Sequence, residues 1–223
     1  MQKELINYLS KLVTTERLSL FEKVLKNRTT YITIVLEDIF QAQNASATLR
    51  TCDCFGVQNV HVIENRNKLV VDSQVALGSS KWLSLIKHSE KEDNTLNTIK
   101  KLRKEGYRII GTSPHQNDVD LEDFDLSKGK CALIFGSEQP GISDIIRQEA
   151  DEFLKIPMVG FTESFNISVS VAIILHHLTH KMRNSKNIPW RLTENEKDEI
   201  QLEWLRNTIK KSKVIENEFL KNQ

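Results

Sequence analysis

Three short segments carry polar side chains next to apolar runs, where such groups could do chemistry. The first is residues 44–50, Asn-Ala-Ser-Ala-Thr-Leu-Arg, which predicts the start of a helix with Asn44 as its N-cap. The small residues let another backbone approach closely, and Arg50 lies about 100° from Leu49 around the helix, off its apolar stripe. Taken alone, the segment fits a capped helix with a surface arginine as well as it fits a binding site.

The second segment is residues 133–143, where a buried strand ends in a polar loop bounded by Gly136 and Gly141 and followed by a helix. In open α/β sheets, ligands bind just beyond the carboxyl ends of the strands. Glu138 stands at that place in the loop. A plain strand-to-helix turn remains the alternative.

The third segment is residues 156–172, in which an apolar strand turns through Gly160 into a helix. The first turn of this predicted helix carries Ser164, Asn166 and Ser168. These residues offer neutral hydrogen-bonding groups at a helix N-terminus. Simple helix capping also explains them when the segment is considered by itself.

The elements that would position these segments alternate along the middle of the chain. Apolar and β-branched runs predict strands at residues 31–36, 60–63, 107–111, 131–135 and 153–156. Amphipathic runs predict helices at residues 45–55, 96–105, 143–150 and 166–183. This alternation predicts an α/β fold, a mostly parallel sheet with helices on both faces. Residues 1–28 and 193–211 are predicted to be helical extensions.

The composition limits the class of protein. The 223 residues are 39% hydrophobic and 27% charged, which is enough apolar material for a core. No run of about 18 apolar residues predicts a membrane span, and the N-terminus lacks the apolar stretch of a secretory signal. Three cysteines without framework spacing favour a reducing compartment, so we expect a cytoplasmic protein.

Several common site signals are missing from the sequence. The loop at 136–141 lacks the Gly-Lys-Ser/Thr ending of a phosphate-binding P-loop, and no G-x-G-x-x-G follows the first strand. Cys52 and Cys54 form C-x-C without a second pair that would complete a zinc site. His176 and His180 would share a helix face but lack the glutamate of H-E-x-x-H, so we expect no metal.

Together and in this order, the three segments resemble the signature motifs of the SpoU family of SPOUT RNA methyltransferases. The family patterns N-x-x-A-x-x-R and G-x-E-x-x-G are matched by Asn44, Ala47 and Arg50, and by Gly136, Glu138 and Gly141. The third pattern, I-P-M-x-G-x-x-x-S-x-N-x-S, is matched by residues 156–168. The resemblance extends over about residues 17–211.

The flanking segments resemble the TrmH branch of this family, which methylates a D-loop guanosine of transfer RNA. Residues 16–28, 78–82 and 202–206 carry this likeness. The separate N-terminal RNA-binding domain usual in the ribosomal RNA branch is not expected here. The resemblance implies an N-terminal helical extension at 1–28, a SPOUT methyltransferase domain with a C-terminal trefoil knot at 29–184, and a C-terminal helical extension at 185–223.

The resemblance implies an RNA 2′-O-methyltransferase that uses S-adenosylmethionine, acts on tRNA as a homodimer and needs no other protein partner. The positions that match cofactor-lining residues are Thr112, Gly136, Ile156, Met158 and Phe165. The positions that match catalytic residues are Arg50, Asn44, Glu138, Ser164 and Asn166. Ribosomal RNA, another tRNA position, and a catalytically silent RNA-binding member remain alternatives, and the intact catalytic positions argue against the last.

Arg50 matches the family's catalytic arginine. A guanidinium stays protonated at ordinary pH, so its physical role is a clamp on the neighbouring phosphate that stabilises the developing alkoxide. A phosphate oxygen or Glu138 would then accept the proton. In the family's homodimer this arginine reaches toward the partner's cofactor. Two departures are Gln43, where the branch often has histidine, and Phe165, where leucine is usual.

The ends of the chain are basic although the net charge is only +1. Basic ends on a nearly neutral chain are suited to contact with a polyanion. The candidate RNA contacts are Arg17, Lys23, Lys26, Arg28, Arg206, Lys210, Lys211 and Lys213. On charge alone, ordinary solvated helix faces explain these residues equally well.

Overall fold

A computed structural model describes residues 1–90, 93–113, 119–137 and 140–221. The chain forms two compact units. The sheet unit is Thr30–Trp190, and the helical unit is Met1–Thr29 together with Arg191–Gln223. The helical unit therefore joins the two ends of the chain, a pairing that the sequence did not predict.

The elements follow the predicted alternation through the sheet unit. The helices are α1 (Gln2–Ser10), α2 (Thr15–Leu25), α3 (Ala42–Phe55), α4 (Ser73–Ala76), α5 (Asn94–Lys104), α6 (Asp144–Glu149), α7 (Ile167–Asn184), α8 (Glu194–Thr208) and α9 (Ser212–Lys221). The strands are β1 (Ile32–Glu37), β2 (Asn59–Ile63), β3 (Ser84–His88), β4 (Arg108–Thr112), β5 (Val119–Asp120), β6 (Cys131–Phe135) and β7 (Glu152–Lys155).

Over the described residues, the strands form one sheet in the order β3-β2-β1-β6-β4-β7-β5. Every pair of neighbours in this sheet runs parallel. The prediction of a mostly parallel sheet is confirmed, and β3 and β5 are additions to the predicted strands. The trefoil knot implied by the resemblance stays a prediction.

Helices cover both faces of the sheet, as predicted. On one face, Ile34 and Leu133 pack in the same cluster as Leu49 of α3 and Leu175 of α7. On the other face, the cluster contains Val35 and Ile134 of the strands, Ile99 of α5 and Ile146 of α6. Successive residues of a strand point to opposite faces, which explains why these central strands carry apolar residues on both faces.

The chain leaves β1 and β6 in opposite directions, although these two strands are neighbours. β1 leads into α3 on one face, and β6 leads into α6 on the other. Neighbouring parallel strands that diverge in this way leave a crevice at their carboxyl ends, where ligands bind in open α/β sheets. The first and second sequence motifs both begin at this crevice.

Two predicted boundaries were wrong. Asn44 is not an N-cap, because α3 begins at Ala42 with Gln41 as its cap. The C-terminal helix predicted to reach residue 211 ends at Thr208, and a further helix, α9, follows a left-handed residue, Lys211. The N-terminal extension is two helices, and the cap of the second is Thr14.

The helical unit is built around Trp204 of α8, which is only 2% exposed. Phe21 of α2 meets its ring edge-on at 5.3 Å between centroids, and the Arg28 guanidinium lies 5.4 Å from the ring centre. Thr193 and Glu196 form a capping box at the start of α8. In the part of the chain that the structure describes, no helix combines the length and hydropathy needed to cross a bilayer.

Two histidines form a direct pair on neighbouring strands at one side of the sheet. His61 Nδ1 of β2 lies 3.0 Å from His88 Nε2 of β3, and the two rings are nearly parallel. Burial, then His88 and then Lys101 lower the pKa of His61 to about 3. Burial and Lys101 also lower the pKa of His88, against an opposing effect of Glu90. Both imidazoles are therefore neutral when the protein is folded at neutral pH.

We predict that the free energy of unfolding falls as the pH drops below about 6.5, the ordinary histidine value. The folded pKa values are lowered, so between the folded and unfolded values the unfolded chain binds protons that the folded chain does not. The slope is at most about 1.4 kcal/mol per pH unit for each histidine, and smaller for the partly exposed His88. Urea titrations between about pH 7.5 and 5 measure this slope.

Replacing one member of the pair should flatten that slope. His88→Gln is the test variant, and His180→Gln, at an exposed histidine of α7, is the matched control for a histidine exchange. An identical slope in the wild type and His88→Gln would show that the pair does not couple folding to pH.

Candidate active site

A cavity of about 520 Å³ opens beyond the carboxyl ends of β4, β6 and β7, and we call it the β6 cavity. Its lining includes every residue that matched a cofactor position and two that matched catalytic positions: Thr112, Gly136, Ile156, Met158, Phe165, Ser164 and Asn166. Residues from three separate parts of the sequence therefore converge on one cavity. This convergence follows from the parallel sheet, whose carboxyl ends lie along one edge.

The polar wall of the β6 cavity depends on close backbone packing. A Cβ atom at Gly136 would collide with the backbone of Gly141, so only glycine fits there. The Gly141 N–H donates to the Ser137 carbonyl at 3.0 Å, and Gly141 has a φ of +66°. Thr112 donates its hydroxyl to the Ile134 carbonyl at 2.8 Å, which fixes its side chain. Glu138, the acid of this motif, lies outside the described residues.

The opposite wall comes from the third motif. Asn166 is the N-cap of α7, and its Oδ1 accepts hydrogen bonds from the Ser168 N–H at 2.9 Å and the Ser168 hydroxyl at 2.7 Å. Ser164 precedes the helix instead of lying in its first turn, which corrects the prediction. Phe165, 43% exposed, lies between them on the cavity wall. The third motif thus supplies a fixed amide next to an aromatic surface.

A hydrogen bond joins the first motif to the third. The Asn166 Nδ2 donates to Asn44 Oδ1 at 3.0 Å, and the Asn44 Nδ2 donates to Gln41 Oε1 at 2.9 Å. Asn44 is buried, so these contacts fix the direction of its amide group. Two residues that lie 122 positions apart in the sequence are therefore held as one polar pair.

A second cavity, of about 790 Å³, adjoins the first, and we call it the β1 cavity. Residues after β1 and β2 line it, including Phe40, Asn44 and Arg66. The two cavities share a common wall made by Ser137, Pro140, Gly141, Ile142, Arg147 and Ile167. Asn44 and Asn166 meet where the cavities adjoin, which places this polar pair within reach of ligands on either side.

Glu37 is a site residue that the sequence reasoning missed. Its carboxylate at the end of β1 is 3% exposed and accepts from the Thr95 hydroxyl at 2.8 Å. It also accepts from the Ser143 N–H at 2.9 Å and the Ser143 hydroxyl at 2.7 Å. These bonds tie the end of β1 to the cap of α6. An acid that ends an otherwise apolar strand was the available signal.

Arg50 lies elsewhere on α3. It is exposed, as its place off the apolar stripe predicted, and within the described residues it lines neither cavity. It lies six positions after Asn44, which corresponds to about 240° around a helix. The two polar ends of the first motif therefore point in different directions within one chain.

Most of the candidate RNA contacts lie on the surface of the helical unit. Those that are exposed are Arg17, Lys23, Lys26, Lys210, Lys211 and Lys213. Arg206 donates to both carboxylate oxygens of Glu216 at 2.8 Å, and this pairing raises its pKa. The prediction for Arg28 was wrong, because this residue is 2% exposed and packs over Trp204. Local charge could not reveal that packing role.

Comparison with known proteins agrees with this geometry. The profile described as the SpoU rRNA Methylase family matches residues 31–176. The chain is 44% identical over 212 residues to a tRNA (guanosine(18)-2'-O)-methyltransferase of Borreliella burgdorferi, covering 95% of this chain and 94% of that protein. It is 29% identical over 163 residues to the Escherichia coli K12 protein of the same name, covering 73% and 69% of the two chains.

A solved structure gives the same result for the fold. The crystal structure described as the A. aeolicus TrmH/SpoU tRNA modifying enzyme superposes with a TM-score of 0.76 at 26% identity, covering 87% of this chain and 98% of that one. The matched profile spans the strands, both cavities and all three motifs. This chain belongs to the SpoU methylase family.

Proposed function

We propose that this protein transfers a methyl group from S-adenosylmethionine to the ribose 2′-hydroxyl of guanosine 18 in tRNA. The observation that carries the chemistry is the adjacency of two cavities joined at the Asn44–Asn166 hydrogen bond. The choice of tRNA is supported by the relative from B. burgdorferi, whose likeness extends over 95% of this chain and so reaches beyond the sheet unit.

The β6 cavity suits the cofactor in size and chemistry. Its volume lies within the range of about 300–1,000 Å³ that is usual for small-molecule sites. Ile156, Met158 and Phe165 offer an apolar surface to an adenine ring, and the backbone near Gly136 offers polar groups. The cofactor supplies a methyl group that its positive sulfur has already activated. The protein therefore has to position the ribose hydroxyl and assist the loss of its proton.

Asn44 and Asn166 are placed to orient the ribose hydroxyl. Each amide is already held by neighbours, so little ordering is needed when the substrate binds. Ser164 stands on the wall of the same cavity and offers a further hydroxyl. The proton acceptor in this proposal is a phosphate oxygen of the RNA or Glu138.

Arg50 is proposed to act from a second copy of the chain. Its exposed position, outside both cavities of its own chain in the described residues, supports a composite site in a homodimer. There the guanidinium would hold the phosphate next to the reacting ribose and stabilise the developing alkoxide. We place this dimer in the cytoplasm, in keeping with free Cys52, Cys54 and Cys131.

Ribosomal RNA is the second candidate substrate, because the matching family profile is described by that activity. Mapping 2′-O-methylation in tRNA and ribosomal RNA, from cells with and without the gene, separates the two. Loss of methylation at guanosine 18 of tRNA supports the proposal. Loss confined to a ribosomal RNA nucleotide would replace it with the second candidate.

Cofactor affinity should depend on the apolar wall of the β6 cavity. Phe165→Asp places a carboxylate where the adenine would pack, and an unpaired buried charge is costly. We expect calorimetry to show S-adenosylmethionine binding weakened by on the order of a hundredfold or more. Phe40→Asp is the matched control, since Phe40 lines the β1 cavity instead. Equal affinity in the two folded variants would remove the assignment of the pocket.

Arg50 should affect methyl transfer much more than cofactor binding. Arg50→Ala is expected to slow single-turnover transfer by on the order of a hundredfold, as loss of one electrostatic stabiliser often does. Arg50→Lys should restore little, because a point charge cannot replace a bidentate fork. Lys104→Ala, which removes an exposed cation from α5, is the control. Near-normal turnover in Arg50→Ala would contradict the catalytic assignment.

Mixing the two inactive variants tests the composite site directly. In a heterodimer, the Arg50→Ala chain keeps an intact β6 cavity and the Phe165→Asp chain keeps Arg50. Transfer activity should therefore return when the variants are refolded together. If Arg50 acted within its own chain, neither subunit would hold a complete site and mixing would restore nothing.

The lysines that follow α8 should contribute to tRNA affinity. Lys210→Glu with Lys211→Glu should raise the Kd for tRNA at fixed salt, and each lost phosphate contact should flatten the salt slope by about 0.7 to 0.9. Fluorescence anisotropy at several salt concentrations measures both. Lys100→Glu with Lys104→Glu on α5 changes the net charge equally. Equal weakening by the two double variants would indicate a net-charge effect and not a contact.

A further inference from the structure

The β1 cavity is lined by an exposed aromatic side chain. Phe40 lines this cavity and is nevertheless 77% exposed. Its exposed ring leaves an aromatic face available to a ligand in this cavity. Its cavity adjoins the proposed cofactor cavity, and Phe40 shares the lining of its own cavity with Asn44.

The backbone that presents Phe40 is strained and firmly held. Asp38, two residues before it, has a φ of +52°. One carboxylate oxygen of Asp38 accepts three backbone N–H groups, those of Asn65 and Arg66 at 2.8 Å and of Asn67 at 3.2 Å. The Asn67 side chain donates to the Asp38 carbonyl at 3.0 Å. A strained backbone conformation that several surrounding hydrogen bonds hold in place is characteristic of functional positions.

The segment whose backbone binds Asp38 also carries a cationic side chain, Arg66. Arg66 binds Asp38 through its backbone N–H, while its exposed side chain lines the β1 cavity together with Phe40. An aromatic face and a guanidinium in one cavity suit the two chemically different parts of a nucleotide, its flat base and its charged phosphate. Single-stranded bases stack on aromatic rings, and phosphates pair with arginine.

We infer that the β1 cavity receives the base of the target nucleotide, with Phe40 as its stacking surface and Arg66 as a contact to an adjacent phosphate. This inference rests on the proposed function. In the proposed function the reacting ribose lies where the two cavities adjoin. The base and the phosphates attached to that ribose must therefore lie within one nucleotide's length of this place. A base inside an RNA loop has to leave its stack to present its ribose, and Phe40 replaces the lost stacking.

Kinetics on tRNA transcripts test the role of Phe40. Phe40→Ala should lower kcat/KM by about ten- to a hundredfold, the usual effect of removing a base-stacking ring. Phe40→Tyr and Phe40→Trp should stay near wild type because each keeps an aromatic face. Calorimetric affinity for S-adenosylmethionine should be unchanged in all three. Val70→Ala, another exposed apolar residue of the sheet unit, is the control.

Fluorescence separates this inference from the proposed function. A transcript with 2-aminopurine in place of guanosine 18 should brighten on binding wild-type protein, as the base leaves its RNA neighbours, and brighten less with Phe40→Ala. This readout needs no methyl transfer. If the wild type brightens the probe but transfers no methyl to tRNA, the proposed function fails alone. If Phe40→Ala matches the wild type in kcat/KM and in fluorescence, the role of Phe40 is overturned.

A test variant and a matched control variant examine the proposed phosphate contact of Arg66. Arg66→Gln should weaken tRNA binding and flatten its salt slope by about 0.7 to 0.9, the value of one phosphate contact. Lys68→Gln removes an exposed cation two residues away and should leave the slope unchanged. Identical salt slopes for Arg66→Gln and Lys68→Gln would overturn the assignment of Arg66.

Discussion

A buried carboxylate at the end of β1 holds the active-site region together. Glu37 is almost fully enclosed and has donors on two sides, Thr95 at the start of α5 and Ser143 at the cap of α6. A buried acid is tolerated only when such bonds are made, and breaking them leaves an uncompensated group. Ser143 in turn accepts the Ile146 N–H, so the carboxylate, the cap and the first turn of α6 form one connected network.

Both cavities depend on this network because they share the wall that follows β6. The turn closed by Ser137 and Gly141 lies between Phe135, at the end of a buried strand, and Ser143, which Glu37 holds. A shift of Ser143 would move that wall toward one cavity and away from the other. The proposed substrate and cofactor sites are thus supported by the same bonds, which suits transfer chemistry because the two reactants must be held in a fixed geometry.

Sequence patterns predicted the parts of this arrangement that depend on local order. β1 and β6 are apolar over most of their length, and that pattern was enough to predict buried parallel strands. β3 was missed, because Ser84–His88 lies at one edge of the described sheet with mostly half-exposed residues and gives neither a buried run nor clean alternation. The motifs predicted that Asn44 and Asn166 would lie close together, but not that Glu37 would hold the elements around them. Arg28 was wrongly predicted to contact RNA, because its burial depends on Trp204, which lies far from it in the sequence.

Several residues around the two cavities depart from the usual local rules. Asp38 adopts a left-handed conformation, Phe40 and Phe165 keep aromatic surface in water, and Gly136 stands where no side chain fits. Conflicts of this kind lower stability and persist where another requirement outweighs it. The departures at the β1–β6 crevice fit the proposed site, and they include Phe40 and Asp38, which no family motif contains.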